Sequence, residues 1–330
     1  MVATIKDVAA RAGLSVGTVS RVLSGSSKTS ADSRRRVFAA AGELGYIAHG
    51  PARSLRRSRT DVIGLLVSDI RNPFFSELAH AAEREAAGRG YTVLLANADE
   101  DPMQEAGYLR AFAGQRIDGL VLAPQGGDSP QLLKLRASGL PLVLVDRTLD
   151  GVAIPSITTD SAAGVRLVLD WLRARGHHEV AYVGGPASLS TGAERRESYL
   201  TGRAEVGLSL DPALVDEGDF RVGSGAEAMR RILGRGARPT AVFAADGLMT
   251  LGAIQALRAE LGDASYGVDL VAFDDLDWFS IAWPPISAVR NDAAEIGRRG
   301  VAALVDLIEG RQVSSQRVPV TFVDRAEPGA

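Results

Sequence analysis

At 330 residues the chain exceeds one average compact domain and suits a small module joined to one large or two medium ones. The absence of cysteine excludes disulfide frameworks, thiolate metal sites and cysteine nucleophiles together, and fits a reducing compartment, so a cytoplasmic location is expected. The net charge of −3 hides an asymmetry: residues 1–60 carry eleven Lys or Arg against three acids (Asp7, Asp32, Glu43), a net +8 that leaves −11 for the remainder, which points to a polyanion partner for the head alone.

The first element is announced by Thr4-Ile5-Lys6-Asp7, a capping-box spacing, followed by Val8, Ala9 and Ala12 on one helical face. Gly13 supplies a residue for positive φ at the helix end, and Ser15 can cap a second short helix with Val19 and Val22 turned inward. A third helix, capped near Ser30, is predicted through Val37, Ala41 and Leu44 to Gly45, closing a small three-helix core. This is the pattern of a helix-turn-helix headpiece over residues 1–46. In such a unit the second helix enters the major groove of double-stranded DNA with Val16, Gly17, Thr18, Ser20 and Arg21 toward the bases. Arg21 can bridge a guanine, Val16 can touch only a thymine methyl, and Gly17 offers no side chain. Thr4, Ser15, Ser24 and Thr29 complete the DNA-binding set, with Thr18, Ser20, Ser24 and Thr29 best placed on phosphates. The plain alternative is a solvated three-helix bundle, which the charge asymmetry disfavours.

The strings TIKDVAARAGLSVGTVSRVLSG and TSADSRRRVFAAAGELGY resemble the headpiece of the lac repressor and galactose repressor family almost position by position. The similarity runs on to about Phe322. It implies a homodimer whose two headpieces read the half-sites of a pseudo-palindromic operator.

Residues 47–60 form a polar, basic linker containing His49-Gly50-Pro51-Ala52-Arg53-Ser54-Leu55-Arg56-Arg57, too short to hold a helix alone. The resemblance implies a hinge helix that folds on DNA, with Leu55 wedged into the minor groove and Arg53, Arg56 and Arg57 near phosphates. The alternative for Leu55 is packing against the core.

From Val62 onward, short β-branched runs alternate with amphipathic helical runs, and the alternation restarts after Asp160. The fold expected for residues 61–330 is therefore an α/β core of two parallel-sheet lobes. The resemblance implies the architecture of periplasmic sugar-binding proteins, with chain crossings near 160, 290 and 320. Lobe 1 would span about 61–159 plus 291–318, lobe 2 about 160–290 plus 319–330, and the strand around Arg317 to Phe322 would straddle both.

Such lobes bind ligand at strand C-terminal ends. Polar and aromatic residues following strands are Asn72, Phe74, Phe75, Asp146, Arg147, Arg195, Phe220, Asp246, Asp274 and Asn291. Carboxylates and arginines can each serve two vicinal hydroxyls, and aromatic faces cover the C–H surface of a sugar ring, so the chemistry suits a monosaccharide or derivative. These positions match the ligand contacts that the resemblance implies. Each has a plainer reading. The phenylalanines can be lobe-interface core, Asp146 and Arg147 a structural ion pair, Asp275 beside Asp274 a solvated acid, and Asp246 a helix start. Ala245-Asp246 departs from the family's usual Asn-Asp.

No Walker-type loop, zinc-spacing motif or Gly-x-Ser-x-Gly elbow occurs, and His49, His80, His177 and His178 do not cluster, His177-His178 reading as a surface turn. Neither enzyme activity, cofactor, metal nor membrane partner is expected. The reading is a DNA-binding regulator, a repressor by resemblance, controlled by a small molecule. The alternative is a sugar-binding α/β protein or enzyme with an accessory basic head. The C-terminal Arg325 to Ala330 carries no leucine heptad, so a dimer is the expectation.

Overall fold

The structure is a computed structural model that describes residues 3–23, 28–46, 59–127 and 129–325. Ser24 and the hinge residues Arg53, Leu55 and Arg56 lie outside these. The chain divides into two units, residues 1–60 and 61–330.

The first unit is helical. Helix α1 (Ile5–Ala12) opens on the Thr4–Asp7 capping box and ends at Gly13, whose φ of 63 lets its amide reach back to the Ala10 and Ala9 carbonyls. Helix α2 (Val16–Leu23) follows after the tight turn, with Ser15 Oγ accepting from the Thr18 amide at 3.2 Å. Helix α3 (Ala31–Glu43) is capped by Ser30. Val8, Ala9, Ala12, Val19, Val22, Val37, Ala40 and Ala41 form the core. Leu44, expected inside, is instead exposed and caps α3, because the helix ends one residue earlier and turns it outward.

The second unit contains two sheets of the same winding. In the first, the order is β11-β5-β4-β3-β1-β2, with β1 (Val62–Val67), β2 (Thr92–Asn97), β3 (Gly119–Leu122), β4 (Leu142–Val145), β5 (Ser156–Thr159) and β11 (Gln316–Val318). Helices α4 (Pro73–Gly88), α5 (Pro102–Gln115), α6 (Pro130–Ala137) and α11 (Ala293–Ile308) belong to this lobe. In the second the order is β12-β10-β9-β8-β6-β7, with β6 (Val180–Gly184), β7 (Val215–Glu217), β8 (Ala241–Ala244), β9 (Asp269–Phe273), β10 (Ser287–Arg290) and β12 (Thr321–Val323). Its helices are α7 (Ser161–Ala174), α8 (Ser190–Glu205), α9 (Val222–Gly234) and α10 (Gly247–Leu261). All pairings are parallel except that of β10 with β12.

The central strands are buried along their whole length, VLV and AVFA runs included, because helices cover both faces. Close helix packing needs glycine: a Cβ at Gly297 would lie 2.3 Å from the Leu78 carbonyl oxygen, and one at Gly252 2.0 Å from that of Val222. The chain passes from the first sheet to the second after Thr159, returns after Arg290, and passes again between Val318 and Thr321. The expected straddling strand is thus two strands, β11 and β12, separated by Pro319, which cannot donate to a ladder. His177 is not a surface turn residue. Its ring is largely buried beside Trp171, with Nδ1 3.0 Å from Thr240 Oγ1 and Nε2 3.0 Å from Asp269. Among the described residues no helix is long and apolar enough to cross a membrane.

Candidate functional site

Both lobes present their strand C-terminal ends to one cleft, where doubly wound sheets collect ligand-binding residues. Asn72 follows β1, Glu100 follows β2, and Asp146 and Arg147 follow β4. From the other lobe come Thr191 and Arg195 on α8, Phe220 after β7, Asp246 after β8 and Asp274 after β9. With Phe74 and Phe75 these residues line a cavity whose free space is about 20 Å³, enough for one water molecule.

Several of these side chains are aimed by unusual backbone. Glu100, Asp146, Phe220 and Asp274 have φ of 54, 62, 64 and 71, a region that non-glycine residues occupy at a cost. The packed sheets hold them there, and the strain gathers where the lobes meet.

Arg147 is the centre of the arrangement. Its guanidinium lies 5.8 Å from the Phe75 ring centroid and 5.4 Å from that of Phe220. Nη1 and Nη2 each donate to Glu100 at 2.7 Å, and Nη1 also donates to Gln125 Oε1 at 3.2 Å. Gln125 is fixed in turn, its side chain donating to Ser68 and its amide to the buried Glu105 at 2.7 Å. Burial opposes the charge on Arg147, but Glu100, Asp146 and Asp246 outweigh it and hold the group firmly protonated. Arg195 donates to the Ala245 carbonyl oxygen at 2.7 Å and lies 3.7 Å over the Phe273 ring.

Burial pushes the Asp146 carboxyl up to about 6, against the pull of Arg147 and Arg195. Burial also raises Asp246, and the neighbouring Asp274 charge adds to the effect. Asp246 accepts from the Met249 amide at 2.9 Å as the N-cap of α10 and from Asn72 across the cleft at 3.2 Å, so it both starts a helix and lines the cavity. Further links between lobes run from the Thr148 amide to Ser190 Oγ at 2.8 Å and from Arg221 to the Asp99 carbonyl oxygen at 2.6 Å.

Of the sequence-derived cleft residues, Asn72, Phe74, Phe75, Asp146, Arg147, Arg195, Phe220, Asp246 and Asp274 converge. Asn291 does not line the cavity. It stands behind, accepting from Thr159 at 2.6 Å and donating to Asp274 at 3.4 Å, because it leads into α11 and faces the crossover. Asp146 and Arg147 are 3.5 Å apart, but the arginine's main partner is Glu100. Asp275 is not solvated, since Arg290 and Arg325 hold it at 2.8 and 2.7 Å. Glu100, Thr191 and Gln125 went unnamed in the sequence, although Glu100 follows β2 and Gln125 follows β3, so that rule alone could have raised both; Thr191 lies on α8. Among the described residues no cluster of His, Cys, Asp and Glu could hold a metal ion.

On the headpiece, α2 exposes Val16, Gly17 and Arg21, with Thr18 and Ser20 half-buried. Thr18 Oγ1 is engaged with Ser15 Oγ at 2.9 Å and with Arg21 at 3.5 Å. Thr4 accepts from the Asp7 amide, and Arg34 holds Thr29 through Oγ1 at 3.1 Å and its carbonyl oxygen at 3.0 Å.

Two family models match the chain: "Bacterial regulatory proteins, lacI family" over residues 4–49, and "Periplasmic binding proteins and sugar binding domain of LacI family" over residues 60–326. The transcriptional regulator CelR of Thermobifida fusca is 35% identical over 325 residues, covering 96% of this chain and 94% of its own. The ribose operon repressor of Escherichia coli is 32% identical over 322 residues, 97% of each chain. Among solved structures, the lac repressor dimer bound to operator and an anti-inducer matches with a TM-score of 0.86 at 28% identity, covering 98% of both chains. A CelR–cellobiose complex matches with a TM-score of 0.73 at 32% identity, again covering 98% of both. The chain belongs to the LacI family of transcriptional regulators, a helix-turn-helix DNA-binding unit followed by a ligand-binding core.

Proposed function

We propose that the chain is a homodimeric repressor, not an enzyme, that binds a pseudo-palindromic operator and releases it when a monosaccharide or a close derivative enters the cleft. The observation that carries the ligand reading is the convergence of three aspartates, two arginines and three phenylalanines between two sheets of equal winding. Carboxylates and guanidinium groups serve hydroxyl pairs while phenyl rings cover C–H faces. The relatives include a ribose repressor and a CelR complex with cellobiose, which supports a sugar over other small molecules.

The free space of about 20 Å³ is far below the roughly 300 Å³ or more of small-molecule sites, so ligand entry requires the lobes to part or Arg147 to withdraw. A ligand that prefers one lobe arrangement shifts the equilibrium by its differential affinity, and residues 47–60, read as the hinge, pass that shift to the headpieces. Arg53, Leu55 and Arg56 are assigned to the DNA on this reading. Homodimerisation is supported by large apolar side chains left in solvent: Leu94 and Leu95 on the edge strand β2, and Ile281 and Trp283, 84% and 71% exposed, in the second lobe.

Thermal unfolding against pentoses, hexoses, cellobiose and nucleosides tests the proposal. A ligand at about 100 times its Kd stabilises by about 2.7 kcal/mol. A shift that Asp274→Ala abolishes supports the assignment, and a panel without any shift refutes a sugar effector.

A further inference from the structure

We infer that the cleft takes an uncharged polyhydroxylated ligand and rejects its phosphorylated or carboxylated derivatives, because Glu100 occupies the Arg147 guanidinium that an anion would need. This rests on the effector reading above and narrows the ligand class for the same cleft.

Arg147 is the one guanidinium placed by its surroundings to receive an anion in the centre of the cleft: buried, at the end of β4, between Phe75 and Phe220. Its fork is already closed. Both terminal nitrogens donate to Glu100 at 2.7 Å, the two side chains being 3% and 9% exposed. A paired fork of this kind uses the same N–H groups that a phosphate would bridge. To accept an anion, the protein must break the pair in a dry site and leave the Glu100 carboxylate buried against the incoming charge. The backbone reinforces the placement, since Asp99 and Glu100 are consecutive non-glycine residues at φ 53 and 54, a turn that carries Glu100 inward from β2.

The second cationic group, Arg195, donates from Nη1 to the Ala245 carbonyl oxygen, contacts Ser161 Oγ at 3.5 Å through Nε and covers the Phe273 ring, so it too is partly engaged. Against these two guanidinium groups the wall sets four carboxylates, Glu100, Asp146, Asp246 and Asp274. Among the fully buried side-chain atoms of the lining, Arg147 Nε, with Asp146 at 3.5 Å, and Thr191 Oγ1 have no hydrogen bond. Single donors and acceptors of this kind, beside carboxylates, match hydroxyl groups, which both give and take a hydrogen bond. An ionised phosphate or carboxylate must instead compete with Glu100 for the Arg147 fork.

The experiment is thermal unfolding and calorimetric titration of the full chain with D-ribose, D-glucose and cellobiose, and with D-ribose 5-phosphate, D-glucose 6-phosphate and D-gluconate. The structure predicts that a neutral sugar binds and that its anionic counterpart binds more than about tenfold weaker, the scale of like-charge juxtaposition. Glu100→Gln, which keeps the side-chain shape and removes one charge, should narrow that ratio. A phosphorylated sugar that binds as tightly as its parent overturns the charge exclusion while leaving the effector cleft intact. An unchanged ratio in Glu100→Gln overturns the role of Glu100. A full panel without binding overturns the sugar-effector reading and this inference with it.

Discussion

The Asn72 amide donates to the Asp246 carboxylate across 3.2 Å, and each of the two residues is also the N-cap of the helix behind it. One bond therefore ties the starts of two helices, one per lobe. Asp246→Asn keeps a capping residue while removing one of the four lining carboxylates. The variant should fold as the parent does and bind the same sugar with altered affinity, whereas Asp246→Ala should lose about 1 kcal/mol of stability through the cap alone. Chemical denaturation of both variants checks this.

The same carboxylates set a pH dependence. Burial raises Asp146 to about 6 from its ordinary 3.8, and raises Asp246 as well. A carboxyl raised on folding holds its proton in the native chain over a range where the unfolded chain has lost it. The stability these groups contribute is whole below 3.8 and is lost as pH climbs through about 6 and beyond. Asp69, Asp216 and Asp275 shift the other way, their arginine partners outweighing burial, and their contribution falls away only in acid. Between about pH 5 and 8 Asp146 and Asp246, together with Glu105, which burial raises as well, decide the sign. The Tm of the core should fall as pH rises across that window, and Asp246→Asn should flatten the upper part. A Tm that rises through the window contradicts the assignment.

Helix packing makes a contrast in glycines. Gly297→Ala and Gly252→Ala place a Cβ against the carbonyl oxygens of Leu78 and Val222, and each should cost about 1–3 kcal/mol. Gly114→Ala, in the last turn of α5 with nothing within 4 Å of the new Cβ, should gain up to about 0.5–1 kcal/mol. Melting curves of the three variants separate the cases.

On the headpiece, Arg21→Ala should remove about 1–3 kcal/mol of discrimination at one base pair while leaving nonspecific affinity nearly unchanged. Competition between a selected operator and single-base variants reads it. Equal loss on every sequence would assign Arg21 to the phosphates instead.

Much of this was legible because it is local. The Thr4–Asp7 box, Gly13 and the Val19/Val22 spacing specify the headpiece within a few residues, and strands such as β3 and β4 declare themselves as unbroken apolar runs. The cleft was readable through one rule, that sites lie past strand ends, and the resemblance supplied the rest. What escaped depends on distant partners. Nothing in Asp99-Glu100-Asp101 singles out its middle residue, and only the left-handed backbone and the approach of Arg147 turn Glu100 inward. Asp275 looks like a free acid beside Asp274 until Arg290 and Arg325 arrive from β10 and the segment after β12. Asn291 has the right chemistry but sits one hydrogen bond behind the wall, a displacement that no spacing encodes.

The measurement that bears most directly on the whole account is the affinity of the full chain for an operator selected from a random DNA pool, with and without the sugar that raises its Tm. Adding the sugar should change that affinity at least about fivefold, an effect lost in Asp274→Ala, with operator binding itself unaffected by that substitution. An operator affinity indifferent to a sugar that demonstrably fills the cleft would contradict this.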